Sequence, residues 1–244
     1  MDQQTPLLEL KGITFSYPDS SRKLFVGVDF VLQEYEGVGL IGANGSGKTT
    51  LFCIIMGLIK PDIGWVLFRG EPMRTAIDFK KLRREVGFLF QDADDQLFLP
   101  TVLEDVTFGP LNLGKSQEEA RDIALQTLAS LGLEEFREKI THHLSGGEKK
   151  LVSLATILAM KPKALLLDEP TTNLDPYTRE RLLDILSSRN EACVIISHDW
   201  DFLTRTTKRV CVLENGKLTS SENSRIHYHP HIHSHGDKPH HHES

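Results

Sequence analysis

The chain has 244 residues, enough for one sizeable hydrophobic core, and its 39% hydrophobic and 25% charged content is ordinary for a globular protein. A net charge of -6 argues against non-specific nucleic-acid binding, so no nucleic-acid partner is expected. The first residues lack the basic end and apolar run of a secretory signal, and no apolar stretch approaches the roughly 20 residues that cross a bilayer. Any role at a membrane would therefore depend on partner proteins.

The first third of the chain is rich in strand patterns. Alternating apolar and polar residues predict half-buried strands over 7–17 and 26–33. An apolar run at 38–41 predicts a buried strand, which leads through a glycine-rich loop into a helix over 48–56. Two further strands are predicted at 65–68 and 86–90.

The middle of the chain changes to helical spacing of its apolar residues, and strands then return. The clearest amphipathic helix is predicted at 118–131. Residues 215–216 are Asn-Gly, a dipeptide typical of a tight hairpin turn. The later strands are predicted at 164–167, 192–197, 210–214 and 217–220.

This order of elements predicts an α/β fold. Buried strands that alternate with helices indicate a mainly parallel sheet covered on both faces, here with N-terminal antiparallel strands beside it. A helical subdomain is expected as an insert at about 91–160. One domain should thus extend over 1–222, and a flexible histidine-rich tail should follow at 223–244, where apolar periodicity stops.

The loop after the strand at 38–41 fits the pattern G-x-x-x-x-G-K-[ST]. Its glycines let backbone N–H groups turn inward around phosphates, and the following helix N-terminus favours negative charge. Lys48 would reach the outer phosphates and Thr49 would hold Mg²⁺. The residues expected to bind ATP here are Gly42, Ala43, Asn44, Gly45, Ser46, Gly47, Lys48, Thr49 and Thr50.

Two acidic residues follow the buried strand at 164–167. Loops at the carboxyl ends of parallel strands are where such sheets bind ligands. Asp168 is expected to orient the Mg²⁺ shell, and Glu169 to polarise a water molecule for attack on the γ-phosphate.

A third motif comes before the helix that ends near residue 160. Leu144-Ser145-Gly146-Gly147-Glu148 places a hydroxyl and glycine N–H groups at a helix N-terminus, which suits an anion. Taken without the other motifs, helix capping by Ser145 would be the better explanation of the serine. The motif resembles the signature of the ABC ATPases. That resemblance covers the chain up to about residue 222 and implies a P-loop ABC ATPase fold that uses ATP and Mg²⁺.

The resemblance assigns roles to further residues. Tyr17 lies where the family's adenine-stacking aromatic lies, and Gln91 where its Mg²⁺-contacting glutamine lies. Asp175 belongs to a segment that resembles the D-loop, and His198 corresponds to the histidine that contacts the γ-phosphate. Glu148 departs from the commoner glutamine, which puts its own contact in doubt. The resemblance implies that the catalytic residues are Glu169, His198 and Lys48. It implies that Mg²⁺ is held by Thr49, Gln91 and Asp168. It also implies that the ATP of a partner subunit is contacted by Ser145, Gly146, Gly147 and Glu148.

The segment at 86–110 resembles the energy-coupling factor (ECF) type of this family. That likeness implies an ATPase dimer, whether of identical chains or not, in which one signature closes over the nucleotide of the other subunit. It further implies a membrane scaffold subunit, a membrane substrate-binding subunit, uptake as the direction of transport, and a peripheral position on the cytoplasmic face of the cell membrane.

The tail contains histidines at alternate positions and then a contiguous run. Residues two apart in an extended chain lie on one face, about 6.6 Å from each other, and imidazole suits Ni²⁺, Co²⁺, Zn²⁺ and Cu²⁺ alike. Together with the ECF likeness, this composition makes nickel or cobalt the expected cargo. The candidate ligands are His227, His229, His231, His233, His235, His240, His241 and His242.

Other functions remain open from the sequence. One alternative is the ATPase of an ECF vitamin importer or of a zinc-type ABC importer. Another is a soluble metal-binding or storage protein in which the tail does the main work and ATPase activity is secondary. A tail without a cellular role is also compatible with compositional bias alone.

Overall fold

The protein is described by a computed structural model over residues 5–18, 20 and 22–221. Within those residues the chain forms ten strands and seven α-helices. The strands are β1 Leu8–Phe15, β2 Phe25–Leu32, β3 Gly37–Ile41, β4 Ile63–Phe68, β5 Glu71–Pro72, β6 Val86–Leu89, β7 Ala164–Asp168, β8 Ala192–Ile196, β9 Arg209–Glu214 and β10 Lys217–Ser221. The helices are α1 Lys48–Ile55, α2 Ala76–Glu85, α3 Val102–Asn112, α4 Gln117–Ser130, α5 Gly146–Leu158, α6 Pro176–Ser187 and α7 Trp200–Thr206.

The strands form two sheets. The first is antiparallel, in the order β2-β1-β4-β5, and the second has the order β10-β9-β3-β8-β7-β6. In the second sheet β3 lies parallel to both β8 and β9, and β7 lies parallel to both β6 and β8. Only β10 reverses direction there, through the predicted Asn-Gly hairpin. The predicted mainly parallel sheet and the antiparallel N-terminal strands are both confirmed.

Two hydrophobic clusters hold these layers together. One joins the antiparallel sheet, α1 and one face of the parallel sheet. The other joins α3, α4 and α5 to α6, α7 and the opposite face of that sheet through residues such as Leu165, Leu167 and Ile195. Since the middle helices share a core with the sheet, the boundaries of the expected helical insert at 91–160 remain a proposal.

Four helices begin with reciprocal capping boxes. In each, a Ser or Thr side chain accepts from the backbone N–H three residues on, and the acid at that position accepts from the cap's own N–H. The pairs are Thr75 with Asp78, Thr101 with Glu104, Ser116 with Glu119 and Ser145 with Glu148. The sequence therefore sets where these helices start.

The predicted elements match the observed ones to within a few residues at each end. The sequence patterns give no separate range for α3, which falls within the helical block, or for the two-residue strand β5. They also do not indicate α2, α6 and α7, because these helices carry few buried residues: Leu82 in α2, Leu182 and Leu183 in α6, and Phe202 and Leu203 in α7. In the part of the chain that the structure describes, no helix is both long and apolar enough to cross a membrane.

Candidate active site

The carboxyl ends of β3, β7 and β8 lie side by side and open into a cavity of about 600 Å³. Residues from widely separated parts of the chain meet there because neighbouring parallel strands end at one edge of the sheet. The predicted site residues in its wall are Tyr17, Asn44, Gly45, Gly47, Lys48, Thr49, Thr50, Gln91, Asp168, Glu169 and His198.

The loop between β3 and α1 depends on its glycines for close approach and backbone shape. A side chain at Gly42 would meet the Leu213 carbonyl oxygen at 2.4 Å. Gly47 has φ 103° and serves as the N-cap of α1 without any side-chain cap. The first N–H groups of α1 therefore face the cavity as donors for an anion. The Lys48 ammonium donates to the Gly42 and Ala43 carbonyls at 2.8 and 3.3 Å, so it is held over the loop.

Thr49 and Asp168 meet across 119 residues of sequence. The Thr49 hydroxyl donates to Asp168 Oδ2 at 2.6 Å. The other carboxylate oxygen, Oδ1, is buried and has no hydrogen-bond partner among the described residues. Burial raises the pKa of Asp168, and the bond from Thr49 opposes that rise. An oxygen pair of this kind, with one orphaned carboxylate oxygen, fits Mg²⁺. Gln91 lines the same cavity and could supply a third oxygen.

Glu169 lines the same cavity, and its carboxylate lies close to two partners. Its Oε1 is 3.3 Å from His198 Nε2, and its Oε2 accepts from the Thr172 hydroxyl at 3.2 Å. The backbone of Glu169 has φ 46°, which is uncommon for a residue with a side chain and is typical of functional sites. Glu169 is mostly buried, whereas His198 is exposed.

Tyr17 stands at the outer wall of the cavity. Its ring packs edge-on against Phe15 with centroids 5.0 Å apart, and its hydroxyl lies 2.9 Å from the Thr50 hydroxyl. The ring remains 46% exposed, which leaves a face available for stacking.

The signature residues do not line this cavity. Ser145, Gly146, Gly147 and Glu148 occupy the N-terminus of α5. Ser145 does cap that helix: its hydroxyl accepts from Glu148 N–H at 3.3 Å, and Glu148 Oε2 accepts from Ser145 N–H at 2.7 Å. Glu148 also pairs with Lys139 at 3.2 Å, and the Ser145 N–H bond lowers its pKa. The charge that replaces the commoner glutamine is therefore balanced within the chain.

Asp175 caps α6 and is likewise apart from the described cavity wall. Its carboxylate accepts from the N–H groups of Tyr177 and Thr178. The predicted histidine ligands at 227–242 lie outside the described residues. Within 5–18, 20 and 22–221, no cluster of three or more His, Cys, Asp or Glu side chains could hold a metal ion.

Sequence reasoning missed several residues around the site. Thr172 holds Glu169 and carries no motif of its own. Lys150 is buried in α5, and only its position just after the signature could have drawn attention to it. Arg179 in α6 donates twice to Asp199, the residue after His198, and nothing in the local sequence indicates that pairing.

Comparison with known proteins identifies the family of the chain. The ABC transporter family profile matches residues 25–172. A putative ABC transporter ATP-binding protein of Nitratidesulfovibrio vulgaris is 52% identical over 239 residues, covering 98% of this chain and 87% of that protein. The energy-coupling factor transporter ATP-binding protein EcfA of Methanosphaera stadtmanae is 43% identical over 223 residues, covering 89% of this chain and 79% of that protein.

Solved structures share the fold. The structure of cbiO1 from Clostridium perfringens, part of the ABC transporter complex cbiONQ, superposes with a TM-score of 0.78 at 33% identity, covering 88% of this chain and 87% of that one. The dimeric post-hydrolysis state of the cassette MJ0796 bound to ADP and Pi gives 0.80 at 29% identity, covering 89% and 99%.

The chain belongs to the ABC transporter family of ATPases. Its predicted likeness to the energy-coupling factor type is confirmed, as are the P-loop ABC fold and the ATPase activity with ATP and Mg²⁺.

Proposed function

We propose that this ATPase drives ECF-type import of nickel or cobalt through membrane partners, and that each site residue has the role its position suggests. The arrangement around Asp168 carries the catalytic part of the proposal. Thr49, Asp168 and Gln91 would hold Mg²⁺, which would supply positive charge at the phosphates, and Lys48 adds its own charge from the glycine loop. Glu169 polarises the attacking water, and His198, whose Nε2 lies 3.3 Å from Glu169 Oε1, contacts the γ-phosphate.

The separation of the signature from the chain's own cavity supports a dimer. The residues Ser145 to Glu148 form an anion-binding helix N-terminus that the cavity wall within the described chain does not include. A second copy, facing the first, would bring its signature over the nucleotide and complete the site. The solved structure of the cassette MJ0796 bound to ADP and Pi is dimeric, which supports this assembly.

An apolar groove beside the cavity supports docking to a membrane scaffold. Phe98 and Phe108 stack edge-on at 5.0 Å, yet they remain 60% and 41% exposed. Leu58 and Met160 extend the lining, and the groove reaches Phe90, the residue before Gln91. An exposed aromatic groove of this kind fits an amphipathic helix. The likeness of 86–110 to ECF ATPases supports a scaffold subunit as the source of that helix, and it supports a peripheral position on the cytoplasmic face of the cell membrane.

The proposal that the transported ion is nickel or cobalt depends on the histidine-rich composition of residues 227–242. Its alternating imidazoles favour borderline metals such as nickel and cobalt over the alkaline-earth ions. An ECF vitamin importer, a zinc-type importer and a metal store are the alternatives, and each predicts a different cellular defect.

The test is the cellular content of many elements in the native source, with wild type compared with a chromosomal Glu169→Gln variant. We expect a selective fall in nickel or cobalt, because transport stops without hydrolysis. The matched control is Glu118→Gln, the same change on an exposed face of α4, which should leave metal content at the wild-type level.

Unchanged metals, with the purified wild-type chain active, would overturn the metal assignment, and reduced uptake of a vitamin would replace it. Deleting residues 223–244 separates a metal store from a transporter. Without these residues a metal store would lose metal binding, which is its main function. An import ATPase without them should keep its basal ATP hydrolysis.

A further inference from the structure

A buried lysine connects the signature helix to the loop that carries Gln91. Lys150 lies on α5, two residues after the signature, and is only 4% exposed. Its ammonium donates to the Gln91 carbonyl at 2.6 Å and to the Phe90 carbonyl at 3.2 Å. A charge is costly to bury unless it is paired and hydrogen-bonded. A lysine at this position therefore needs a reason beyond filling space.

The same face of α5 holds the loop at a second point. Gln96 donates from its amide to the Ser153 carbonyl and the Thr156 hydroxyl, both at 2.8 Å, and accepts from Phe90 N–H at 3.3 Å. The loop from Phe90 to Gln96 is thus fixed at both ends to one helix. A displacement of α5 would carry that loop with it.

The charge of Lys150 also interacts with carboxylates near the cavity. Burial lowers the pKa of Lys150, and the charges of Asp92, Asp168 and Glu169 oppose that shift by favouring the protonated form. A neutral residue of the same length would lose both the two hydrogen bonds and this attraction. The lysine is consequently suited to hold the loop and to balance charge beside the Mg²⁺ position.

We propose that Lys150 is a positioning residue for ATP hydrolysis: it clamps the main chain of Gln91 to the signature helix and so sets where the Gln91 side chain meets Mg²⁺. The inference rests on the proposed Mg²⁺ role of Gln91. Through this contact the signature and the Gln91 main chain would move together. Docking of a partner's nucleotide on the signature would then shift the Gln91 side chain at the Mg²⁺ position. Lys150 acts through Gln91 without touching the nucleotide itself.

The first measurement is activation of the purified full chain by Mg²⁺. We expect Lys150→Met to raise the Mg²⁺ concentration for half-maximal ATPase by about 10-fold, as loss of a supporting contact does at metal sites. The KM for ATP at saturating Mg²⁺ should not change, because Lys48 and the glycine loop are untouched. Lys150→Arg, which keeps the charge and both donors, should restore most of the Mg²⁺ response.

Lys149→Met is the matched control. It removes the neighbouring lysine on the same helix, whose 2.6 Å pair with the exposed Asp94 lies at the rim of the same loop. This pair is made with the side chain of Asp94, which is 63% exposed, and it leaves the main chain of Gln91 untouched. The Mg²⁺ concentration for half-maximal activity of Lys149→Met should therefore match wild type. If Lys150→Met does not fold, Lys150→Gln retains a donor and carries the test. Equal shifts in the Lys149 and Lys150 variants would overturn the proposal.

Amide hydrogen exchange over residues 90–97 separates this inference from the role of Gln91. Lys150→Met should speed exchange there, and unchanged exchange in the folded variant would overturn the clamp. In a Gln91→Ala background, Lys150→Met should shift the Mg²⁺ response no further. If Gln91→Ala alone leaves that response unchanged, the proposed role of Gln91 fails, and the exchange data still judge whether Lys150 holds the loop.

Discussion

Asp199 follows His198 directly and is held from two sides. Its carboxylate accepts hydrogen bonds from Nε and Nη2 of Arg179 at 2.6 and 2.9 Å. It also caps α7 by accepting from Phe202 N–H at 3.0 Å. These contacts fasten the turn that carries His198 to the start of α6. Bidentate arginine–carboxylate pairs of this geometry are among the stronger ones in proteins.

The Arg179 hydrogen bonds lower the pKa of Asp199 below its usual value of 3.8. A carboxylate whose folded pKa is depressed stabilises the protein above the unfolded pKa and loses that contribution as pH falls through the folded one. Asp199→Asn should therefore lower the free energy of unfolding at pH 7, by roughly 1 kcal/mol given partial solvent screening.

The pH profile provides the check. Between about pH 5 and pH 3 the wild-type unfolding free energy, measured by urea titration, should fall more steeply than that of Asp199→Asn. Asp184→Asn, an exposed change on the same helix as Arg179, serves as the control and should keep the wild-type slope. Parallel slopes for wild type and Asp199→Asn would contradict the assigned pairing.

At the scale of elements, the same capping box occurs at several helix N-termini, and at one of them it coincides with a proposed anion-binding motif. The capping boxes of Ser116 on α4 and Ser145 on α5 have the same pattern of donors and acceptors, and the hydroxyl in each accepts at 3.2 and 3.3 Å. Only the second lies in the signature motif. The capping explanation of Ser145 and the proposed anion-binding role are thus compatible, because the hydroxyl can accept from the helix and donate to a phosphate.

This pair of serines allows stability and function to be separated. Ser116→Ala and Ser145→Ala should each lower the free energy of unfolding by about 1 kcal/mol, the usual loss for a missing cap. Only Ser145→Ala should also lower the ATPase rate at saturating ATP. Equal activity of the two variants, at temperatures where both remain folded, would restrict Ser145 to capping.

For the whole molecule, the separation between the cavity and the signature predicts assembly driven by the nucleotide. Glu169→Gln should bind ATP with Mg²⁺ and form a stable dimer in sedimentation, since loss of a general base slows hydrolysis by about 100-fold or more. Wild type should form that dimer only transiently, because hydrolysis reopens it.

Lys48→Ala is the companion variant in the same sedimentation experiment. Without the ammonium over the glycine loop it should hold the phosphates poorly and stay monomeric with ATP. Rapid turnover by Glu169→Gln would remove Glu169 from the mechanism, and a monomeric Glu169→Gln with bound ATP would contradict the sandwich.

Local signals in the chain were sufficient for the elements and for the glycine loop. Residues 42–49 are contiguous, and the φ values and N–H donors that phosphates require are properties of that segment alone. Strand periodicity likewise predicted β3, β7 and β8, because buried parallel strands are short apolar runs. The family likeness then named the remaining site residues, while α2, α6 and α7 had too few buried positions for a clear period.

Contacts between distant residues were decided only by packing in three dimensions. Thr49 meets Asp168 across 119 residues, and Lys150 meets Gln91 across 59. Neither bond has a local signature, because each depends on which strands lie side by side and on how α5 sits against the sheet edge. Periodicity indicates which face of a helix or strand is buried. The residue that a buried side chain contacts is set by the layer packed against that face. For that reason the motifs in the sequence predicted a nucleotide site, whereas only the tertiary structure identified the residues that hold the site in position.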